Sequence, residues 1–537
     1  MHFDFIIVGA GSAGCVLANR LSEDSSNRVL LLEAGGRDWN PLFRVPLMTG
    51  VLLRNRYANW FYETEPEENL SNRKIFWPRG KVLGGSSAIN GMVYTRGTAM
   101  DYDGWAQMGM PEWSFDKVLP AFRRSESYKG KPSEFHGTDG PLPISRPNTP
   151  NPLFDAFVEA GQQAGHPYNA DFNGPSQEGV GRYDFTTFKG ERWSAARAFL
   201  SPIRSRKNLV VQTEARLLRI IFEKQKAVGV EVSVKGTKSV FYADRDVILS
   251  CGTVNSPAAL MTSGIGDADV LRPLGIPVVQ DLKGVGHNLQ DHLLARVEHA
   301  CLEPVTLYDT LRGDRAARAL LEAMIFKKGP ASSFPLEGGA FLKSDPALDE
   351  PDLQSHFLPG LSTAALRLPF IKRPKTKYEG HGFFANVYQL RPYSTGQISI
   401  RSADPLAAPV IRPNYFSDPE DLRVLREGVK ALRRIFAQPA FDRYRGIELA
   451  PGRSVQTDTE IEAWLRATAD TVFHPVGSCK MGADPMAVVD QNLRVHGIDN
   501  LRVVDASIMP RMPSSNTHAP TMMIAERASD LILGEAA

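Results

Sequence analysis

The chain has 537 residues, of which 42% are hydrophobic and 23% are charged. This composition is typical of a soluble globular protein, and the length predicts several domains or two large interleaved ones. The formal net charge is only +2, which excludes a strong positive field of the kind that attracts nucleic acids and anionic membranes. We therefore expect a small-molecule substrate and no nucleic-acid partner, whereas the oligomeric state is left open.

The cysteines and the hydrophobic runs indicate the cellular compartment of the protein. Four cysteines, Cys15, Cys251, Cys301 and Cys479, are widely spaced and form no C-x-x-C pair, which favours a reducing compartment over a disulfide framework. No signal peptide is visible, and no apolar run approaches the roughly 20 residues that span a bilayer. We expect a cytoplasmic protein, with peripheral contact with the inner membrane left open. Residues 366–377 mix apolar and basic side chains and predict either an interfacial segment or a solvated surface loop.

The first part of the chain predicts a βαβ unit. Residues 3–8, F-D-F-I-I-V, form a short apolar run that is typical of a strand buried on both faces. Residues 12–22 predict a helix, and residues 28–33 predict a second buried strand. Two later apolar runs, residues 245–252 and 501–507, predict further core strands.

Two other stretches have a different character. Residues 150–195 are rich in turn signals, and residues 293–464 alternate between amphipathic helices and strands. Within the second stretch, residues 397–402 predict a strand and residues 421–436 predict an amphipathic helix. The pattern predicts a cofactor domain that is interrupted by pieces of a second domain.

The first glycine-rich loop, G-A-G-S-A-G, has Gly9, Gly11 and Gly14 in the G-x-G-x-x-G spacing. It follows a predicted strand, opens a predicted helix and is followed by Glu33 at the end of the second strand, which is the context that a dinucleotide site requires. The helix N-terminus would face the phosphates, and Glu33 would face the ribose hydroxyls. The loop does not distinguish NAD from FAD, and the alternative is a tight turn without a ligand.

Residues 80–91, G-K-V-L-G-G-S-S-A-I-N-G, form a second segment of small residues. It lacks the G-K-[ST] sequence of a nucleoside triphosphatase loop. Its flexible backbone and its hydroxyl groups suit the close approach of a flat, polar ring system, and the alternative is a surface turn.

His474 lies in the segment F-H-P-V-G-S-C-K-M-G. Three roles are open from the residues alone: a catalytic base, half of a metal site with Cys479, or a buried ring in the core. No second Cys/His pair occurs at ligand spacing, so we predict no metal. Pro475 favours an extended backbone at residue 474, which would help to aim the imidazole.

Several separated segments together resemble the glucose–methanol–choline (GMC) family of flavin oxidoreductases, in its alcohol and choline dehydrogenase-like branch. They are the two glycine-rich segments, G-T-V-N-S-P-A-A-L-M-T-S-G-I-G at 252–266, G-V-G-H-N-L-Q-D-H at 284–292, H-P-V-G-S-C-K-M-G and V-V-D-A-S-I-M-P-R-M-P-S-S-N-T-H-A-P-T. The segments span nearly the whole chain in the family's order. The resemblance implies FAD, a two-domain fold and oxidation of an alcohol.

The fold that the resemblance implies is α/β with two domains. A Rossmann-like FAD-binding domain, residues 1–150, 196–293 and 465–537, is expected to be interleaved with a substrate domain, residues 151–195 and 294–464. The substrate domain is expected to contain an antiparallel sheet flanked by helices.

The resemblance also implies which residues bind FAD. It places the pyrophosphate at the first loop, the ribose at Glu33, the adenine at the backbone of Val211 and the isoalloxazine ring along residues 82–90. The full set of cofactor-binding residues is Gly9, Gly11, Ser12, Ala13, Gly14, Glu33, Ala34, Val82, Gly84, Ser87, Asn90, Gly91, Met92, Val93, Val211, Asp505, Ala506, Asn516 and Thr517. Some members attach FAD to a histidine at the position of Ile89, so we predict non-covalent FAD.

His474 matches the family's active-site histidine, and Asn516 matches its partner. An imidazole can accept the alcohol proton, whereas the amide of Asn516 can only hydrogen-bond to the substrate oxygen. His474 is therefore the predicted base, and His518 is a less favoured contributor. Pro520 suits the first turn of a final helix, whose positive end would face the flavin.

We therefore predict FAD-dependent oxidation of an alcohol, expected to be primary, to an aldehyde, with further oxidation to the acid left open. Oxygen, a quinone or a redox protein would accept the electrons. The alternative is a non-redox or light-driven enzyme of the same fold, of the hydroxynitrile lyase or fatty-acid decarboxylase type. The substrate itself is not readable: Glu337 could contact it or serve the structure, and the substrate region contains Phe334, Phe357, Phe384 and Tyr388.

Overall fold

A computed structural model describes residues 1–147, 149–368 and 378–534. Most of the segment 366–377, predicted to be interfacial or a solvated loop, lies outside the described residues. In the part of the chain that is described, no helix combines the length and the apolar character needed to cross a bilayer.

Among the described residues, the first sheet has seven strands, five of which run parallel. Six of the strands lie in the spatial order Leu209–Gln212, Val29–Leu32, His2–Val8, Thr237–Leu249, Lys226–Val234 and Ala215–Glu223. The seventh, Leu501–Val503, pairs in parallel with Thr237–Leu249. The last two strands of the row are antiparallel to their neighbours.

The predicted βαβ unit is confirmed by the strands His2–Val8 and Val29–Leu32 and the helix Ser12–Leu21. All four side chains of the second strand are buried, as expected for a strand covered on both faces. Residues 245–249 form the end of the strand Thr237–Leu249. The first half of that strand is largely exposed and polar, which is why the apolar run predicted only its end.

The strand predicted at 501–507 is shorter than expected and ends at Val503. The reason is Asp505, whose carboxylate accepts the backbone N–H of Ser507 and starts a turn of 3₁₀-helix. Side-chain capping of this kind competes with the extended backbone.

The second sheet also has seven strands among the described residues, and all of its pairings are antiparallel. Its strands lie in the order Arg445–Ala450, Leu293–Cys301, Gly382–Gln389, Leu353–Leu358, Gly338–Leu342 and Gly179–Arg182, with Asp470–Thr471 paired to Leu293–Cys301. The helices Pro152–Gln163 and Pro419–Phe436 pack against this sheet. The two sheets confirm the predicted α/β class and the predicted antiparallel sheet flanked by helices.

The described residues contain twelve α-helices. They are Ser12–Leu21, Thr49–Leu52, Ala99–Gln107, Phe115–Ser125, Pro152–Gln163, Gly252–Thr262, Ala268–Leu271, Leu307–Thr310, Gly313–Phe326, Pro419–Phe436, Asp458–Thr468 and His518–Leu533. Short strands outside the two large sheets pair in twos: Tyr62–Glu63 with Phe76–Trp77, Val93–Tyr94 with Asp184–Phe185, Glu126–Tyr128 with Leu142–Ile144, Thr187–Phe188 with Glu191–Arg192, Ile265–Gly266 with Gln280–Asp281, and Gln397–Ser399 with Val410–Arg412.

The predicted helix at 421–436 is confirmed as Pro419–Phe436. Its start is set by Asp418, whose side chain accepts the backbone N–H of Glu420 and supplies an N-cap. The strand predicted at 397–402 is confirmed only in its first half, Gln397–Ser399. Pro520 lies in the first turn of the final helix, as predicted.

The strands of each sheet come from separate stretches of the chain. Those of the first sheet fall within 1–150, 196–293 and 465–537, whereas those of the second fall within 151–195 and 294–464 except for Leu293 and Asp470–Thr471. On this basis we propose the discontinuous domain division expected from the sequence.

One buried carboxylate joins three helices, among them the helix that follows the first glycine loop. Glu526, which has no exposed side-chain surface, accepts hydrogen bonds from the guanidinium groups of Arg20 and Arg124 and from the hydroxyl of Ser125. These partners belong to the helices Ser12–Leu21 and Phe115–Ser125, and Glu526 belongs to the final helix. The carboxylate thereby sets the position of the final helix relative to the loop.

Replacing Glu526 by Ala should lower the free energy of unfolding by about 2–3 kcal/mol. The loss should stay below the 3–5 kcal/mol of a fully buried pair because Arg124 keeps some contact with water. The control is Asp530→Asn, which removes a more exposed partner of the same Arg124 and should cost less than about 1 kcal/mol. Equal losses in chemical denaturation of the two variants would contradict this ranking.

Candidate active site

A cavity of about 410 Å³ is lined by residues from both sheets. On the first sheet it opens at Val8, Leu32 and Ser250, at the carboxyl ends of the parallel strands. On the second sheet its wall includes Leu294 and His356. Ligands of open α/β sheets bind at the carboxyl ends of the strands, so this cavity is the candidate site.

Most of the residues predicted from the sequence meet around this cavity. Those that line it are Gly9, Gly11, Ser12, Ala13, Glu33, Ala34, Ser87, Asn90, Gly91, Met92, Val93, His474, Asp505, Ala506, Asn516 and Thr517. Four predicted cofactor residues do not line it, namely Gly14, Val82, Gly84 and Val211.

Val211 is the residue whose predicted role differs most from its position. It lies on an edge strand of the first sheet, paired with Leu31, whereas the cavity wall includes Ala215, Arg216 and Leu217 of the strand that follows in the chain. Val211 and Ala215 are only four residues apart and lie in two successive apolar runs, so the sequence pattern does not tell which run reaches the cavity.

The other three residues support the wall from behind. A Cβ atom on Gly14 would lie 1.9 Å from the carbonyl oxygen of Gly9, so Gly14 lets the helix pack on the loop. Gly84 has a φ of 88°, which favours glycine. Val82 is buried in an apolar cluster with Leu52.

The first loop has the shape of a phosphate cradle. Gly9 has a φ of 102°, and a Cβ atom there would lie 2.4 Å from the carbonyl oxygen of Ser250. A Cβ atom on Gly11 would meet only that oxygen, at 3.9 Å, because it would project into the cavity. The helix Ser12–Leu21 begins without a side-chain cap or an acidic residue in its first turn, which leaves its N–H groups and partial positive charge for an anion.

Glu33 lies buried at the end of the second strand. Its carboxylate oxygens accept the backbone N–H groups of Ala10 and Gly35 at 2.9 and 2.8 Å. Burial raises the pKa of Glu33 to about 7, and the two backbone hydrogen bonds oppose the rise. Each oxygen retains a lone pair, so the carboxylate can still accept the hydroxyls of a ribose.

One buried polar atom at the cavity has no hydrogen-bond partner among the residues that the structure describes. The ring of His518 is held by a 2.9 Å hydrogen bond between its Nδ1 atom and Ser12 Oγ, while its Nε2 atom is buried and unpartnered among the described residues. An orphaned atom of this kind predicts a bound polar group. Together with the cradle and Glu33, it shows that the residues present fit a dinucleotide such as FAD.

A buried arginine holds the second glycine-rich segment in place. Arg192 donates to the backbone carbonyl and the side-chain oxygen of Asn90, at 2.6 and 2.9 Å, and to the hydroxyl of Thr49. Burial lowers its pKa to about 9, which still leaves it charged at neutral pH. Asn90 can therefore lie on the cavity wall in one fixed orientation.

His474 is connected to a second histidine that the sequence analysis did not single out. The Nδ1 atoms of His474 and His292 lie 3.0 Å apart, and His292 Nε2 lies 2.8 Å from the carbonyl oxygen of Leu390. His292 was visible only as the last letter of G-V-G-H-N-L-Q-D-H. Its role depends on the pairing of the strand Leu293–Cys301 with Gly382–Gln389, which brings residue 390 close.

These two distances define the protonation of His474. A carbonyl oxygen only accepts, so His292 Nε2 must carry a proton and donate it to Leu390. In a neutral His292 the Nδ1 atom is then an acceptor, so His474 must donate from its own Nδ1–H. The Nε2 atom of His474 is therefore unprotonated, and its lone pair accepts from the side-chain amide of Asn516 at 3.2 Å.

Burial keeps the histidines of this site neutral. It lowers the pKa of His292 to about 4 and that of His356 to about 3. The pKa of His474 is held well below its usual value by burial and then by the neighbouring His292, His356 and Arg79. At neutral pH His474 is therefore an acceptor of protons.

The backbone around His474 is held from both sides. The carboxylate of Asp291 accepts the N–H of His474 at 2.8 Å, and Arg79 donates to the carbonyl oxygen of Phe473 at 2.5 Å. Phe473 itself has a φ of 68°, a conformation that non-glycine residues adopt rarely and that clusters at functional sites. The imidazole is thereby aimed into the cavity.

Asn516 is oriented just as firmly. Its side-chain oxygen accepts from the hydroxyl of Thr95 at 2.9 Å and from the amide of Gln354 at 3.2 Å. The amide nitrogen must then face His474 and the cavity. The final helix begins two residues later, at His518, so its N-terminus also faces the cavity, as predicted.

Other candidates from the sequence lie elsewhere. Glu337 is buried outside the cavity lining and binds Thr149, Ser333 and Arg182, so it serves the structure. Cys479 is buried in the apolar core, and the described residues contain no group of three His, Cys, Asp or Glu side chains that could hold a metal ion.

Of the four aromatic residues in the predicted substrate region, only Phe334 lines the cavity. Tyr388 lies behind the wall, with its ring 6.1 Å from the ring of His474. Phe357 packs in the core beneath the second sheet, and Phe384 lies under the guanidinium of Arg296.

Comparison with known proteins agrees with this geometry. Residues 3–294 and 392–525 match the two models of the GMC oxidoreductase family, N-terminal and C-terminal. The human mitochondrial choline dehydrogenase is 47% identical over 100% of this chain and 90% of its own length. The oxygen-dependent choline dehydrogenase of Sinorhizobium fredii is also 47% identical, over 100% of this chain and 96% of its own.

Solved structures show the same likeness. The pyridoxine 4-oxidase from Mesorbium loti superposes with a TM-score of 0.88 at 33% identity, covering 98% of each chain. A formate oxidase superposes with a TM-score of 0.91 at 28% identity, covering 99% of this chain and 98% of that one. The chain belongs to the GMC oxidoreductase family, and it is an FAD-dependent oxidoreductase that acts on alcohols.

Replacing Gly11 by Ala should weaken FAD binding by about tenfold or more, which corresponds to about 1.4 kcal/mol of lost contact. Its φ of −75° accepts alanine, so the added methyl group acts only by filling the cradle. FAD released by acid precipitation would be measured against protein after titration of the apoprotein. Gly36→Ala is the control, because a Cβ atom there meets nothing within 4 Å; unchanged affinity in Gly11→Ala would contradict the cradle.

Proposed function

We propose that the chain oxidises a primary alcohol to an aldehyde, with His474 as the base that accepts the hydroxyl proton. The observation that carries this proposal is the unprotonated Nε2 atom of His474, set by the hydrogen bond from His474 Nδ1 to His292. A neutral, oriented imidazole on the wall of the cofactor cavity is the group that removal of this proton requires.

The substrate hydroxyl would contact two side chains. Its proton points to His474 Nε2, and its oxygen accepts from the amide of Asn516, which lies 3.2 Å from the same nitrogen. Asn516 cannot remove a proton, so it orients the alcohol and stabilises the oxygen as negative charge develops. Thr95 and Gln354 keep the amide in that orientation.

When bound, FAD supplies a two-electron acceptor for the hydride that leaves the alcohol carbon. The O–H proton passes to His474, the C–H bond breaks with its electron pair, and the carbonyl of the aldehyde forms. The protonated His474 is stabilised by its hydrogen bond to His292, while Asp291 holds its backbone N–H. Burial raises the pKa of Asp291 to about 6, against several hydrogen bonds, so this carboxylate is still ionised at neutral pH.

We propose further that FAD is held non-covalently by the cavity residues predicted from the sequence, since Ile89, on the wall, offers no nucleophile. Oxygen, a quinone or a redox protein takes the electrons on. The cytoplasmic location stays a prediction, supported by four free cysteines.

The direct experiment is anaerobic mixing of the holoenzyme with aliphatic, aromatic, polyol and choline-type alcohols. Loss of the oxidised flavin absorbance with at least one class is the expected result. Readmitting air then tests oxygen as the acceptor. An enzyme whose flavin stays oxidised with every class would favour the non-redox alternative.

His474→Ala should retain FAD but slow flavin reduction by about 10²–10⁴-fold, because a positioned base contributes about that factor. The rate would be followed in an anaerobic stopped-flow spectrometer at saturating alcohol. His287→Ala is the control, since that histidine is exposed and should react at the wild-type rate. A fully active His474→Ala variant would remove His474 from the mechanism.

His292→Leu should also slow flavin reduction, although His292 does not reach the substrate. Leucine cannot accept from His474 Nδ1–H, so His474 loses the restraint on its tautomer. The expected loss lies between about tenfold and the roughly 10⁴-fold that a wrong histidine tautomer costs a serine protease. His292→Gln, whose amide oxygen can accept, should recover part of the rate; equal losses in the two variants would reduce His292 to a packing role.

A further inference from the structure

The residues that line the cavity beside His474 also indicate the chemical character of the rest of the substrate. We propose that the alcohol has an uncharged, apolar tail and that this enzyme selects against quaternary ammonium alcohols, even though similar proteins are named for choline. The inference rests on the proposed function, because it concerns the same site, and it concerns what lies beyond the hydroxyl group.

An apolar wall adjoins the proposed base. Six hydrophobic side chains of one cluster line the cavity: Met92, Val93, Leu294, Phe334, Leu336 and Val472. The same cluster contains Tyr388, whose ring lies 6.1 Å from the ring of His474. Each methylene group of a substrate tail that this wall removes from water contributes about 0.8 kcal/mol.

The wall is continuous with the second glycine-rich segment. A Cβ atom on Gly91 would lie 3.2 Å from the ring of Phe334 and 3.7 Å from the side chain of Leu336. The side chains of these two residues therefore pack against the backbone of the residue that follows Asn90. A tail that extends from a hydroxyl at His474 would meet hydrocarbon on this side.

In the part of the chain that the structure describes, no carboxylate lines this end of the cavity. Among the described lining residues the acids are Glu33, Asp404 and Asp505. Glu33 and Asp505 hold the nucleotide loop and the helix Gly252–Thr262 through backbone N–H groups. Asp404 is exposed, in the loop whose Pro405 carbonyl accepts from Arg216. None of the three is available to a cation near His474.

The charged side chain on this wall is instead a cation. Arg296 lines the cavity and donates to the side-chain oxygen of Asn386 at 3.1 Å. It lies two residues beyond Leu294 on the same strand, so both side chains point to the same face of the sheet. The nearby Glu298 is outside the lining and accepts from the backbone and hydroxyl of Ser362.

A trimethylammonium group is bound by aromatic faces and carboxylates. Here it would meet one aromatic ring of the wall, Phe334, and the like charge of Arg296 in a partly desolvated site, where charges are weakly screened. A neutral tail of the same shape would meet the same wall without that repulsion. Charge, and not size, should therefore decide between the two.

The test compares choline with 3,3-dimethylbutan-1-ol, which has the same shape but a carbon in place of the charged nitrogen. We expect kcat/KM for anaerobic flavin reduction to be at least about tenfold higher with the neutral alcohol. Across short primary alkanols it should rise about three- to fourfold per added methylene group, the equivalent of about 0.8 kcal/mol. A preference for choline over its neutral counterpart would overturn the inference and leave the proposed function intact.

Variants of Arg296 test whether its charge causes the preference for the neutral alcohol. Arg296→Gln should reduce the preference for the neutral alcohol by about tenfold or more, whereas Arg296→Lys, which keeps the charge, should preserve it. Because the readout is a ratio of two substrates on one protein, partial loss of folded enzyme does not affect it. An unchanged ratio in Arg296→Gln would overturn the role of this residue, and flavin that no alcohol reduces would contradict the proposed function as well.

Discussion

The hydrogen bond between the Nδ1 atoms of His474 and His292 is the contact on which the proposed chemistry depends. His474 must be the donor in this hydrogen bond, because the single N–H of the neutral His292 ring is donated to the carbonyl of Leu390. A backbone carbonyl just beyond the strand Gly382–Gln389 thus determines which nitrogen of His474 faces the cavity. Burial keeps both rings neutral, so the arrangement needs no carboxylate to prepare the base.

Much of this protein could be predicted from its sequence. The strand–loop–helix at residues 3–33 and the glycines of its loop are local features, and so is the helix that contains Pro520. His474 and Asn516 are 42 residues apart in the chain, and the structure brings these two residues, paired by the resemblance, to the wall of one cavity. The roles of Val211 and His292 could not be assigned from local pattern, because each depends on which strand lies beside which in a sheet.

In this structure the groups proposed for the reaction are distinct from the groups proposed to select the substrate. A close relative can therefore share the reaction without sharing the substrate. The groups that are proposed to act on the hydroxyl, His474 and Asn516, are held by hydrogen bonds to His292, Thr95 and Gln354, the last of which lies on a strand of the second sheet. Two of the groups that would meet the tail of the substrate, Leu294 and Arg296, are side chains on one face of the second sheet. Substitution on that face can change the preferred alcohol without disturbing the base. Identity of about half the residues therefore supports the reaction more strongly than it supports the substrate.

The most direct test of the central claim is nitrogen-15 NMR of the holoenzyme with labelled histidine, assigned by comparison with His474→Gln. At neutral pH we predict that His474 carries one proton, on Nδ1, and that its Nε2 shift is that of an unprotonated nitrogen. A proton on Nε2, or on both nitrogens, would contradict the account, because the atom that faces Asn516 and the cavity could then not accept the proton of an alcohol.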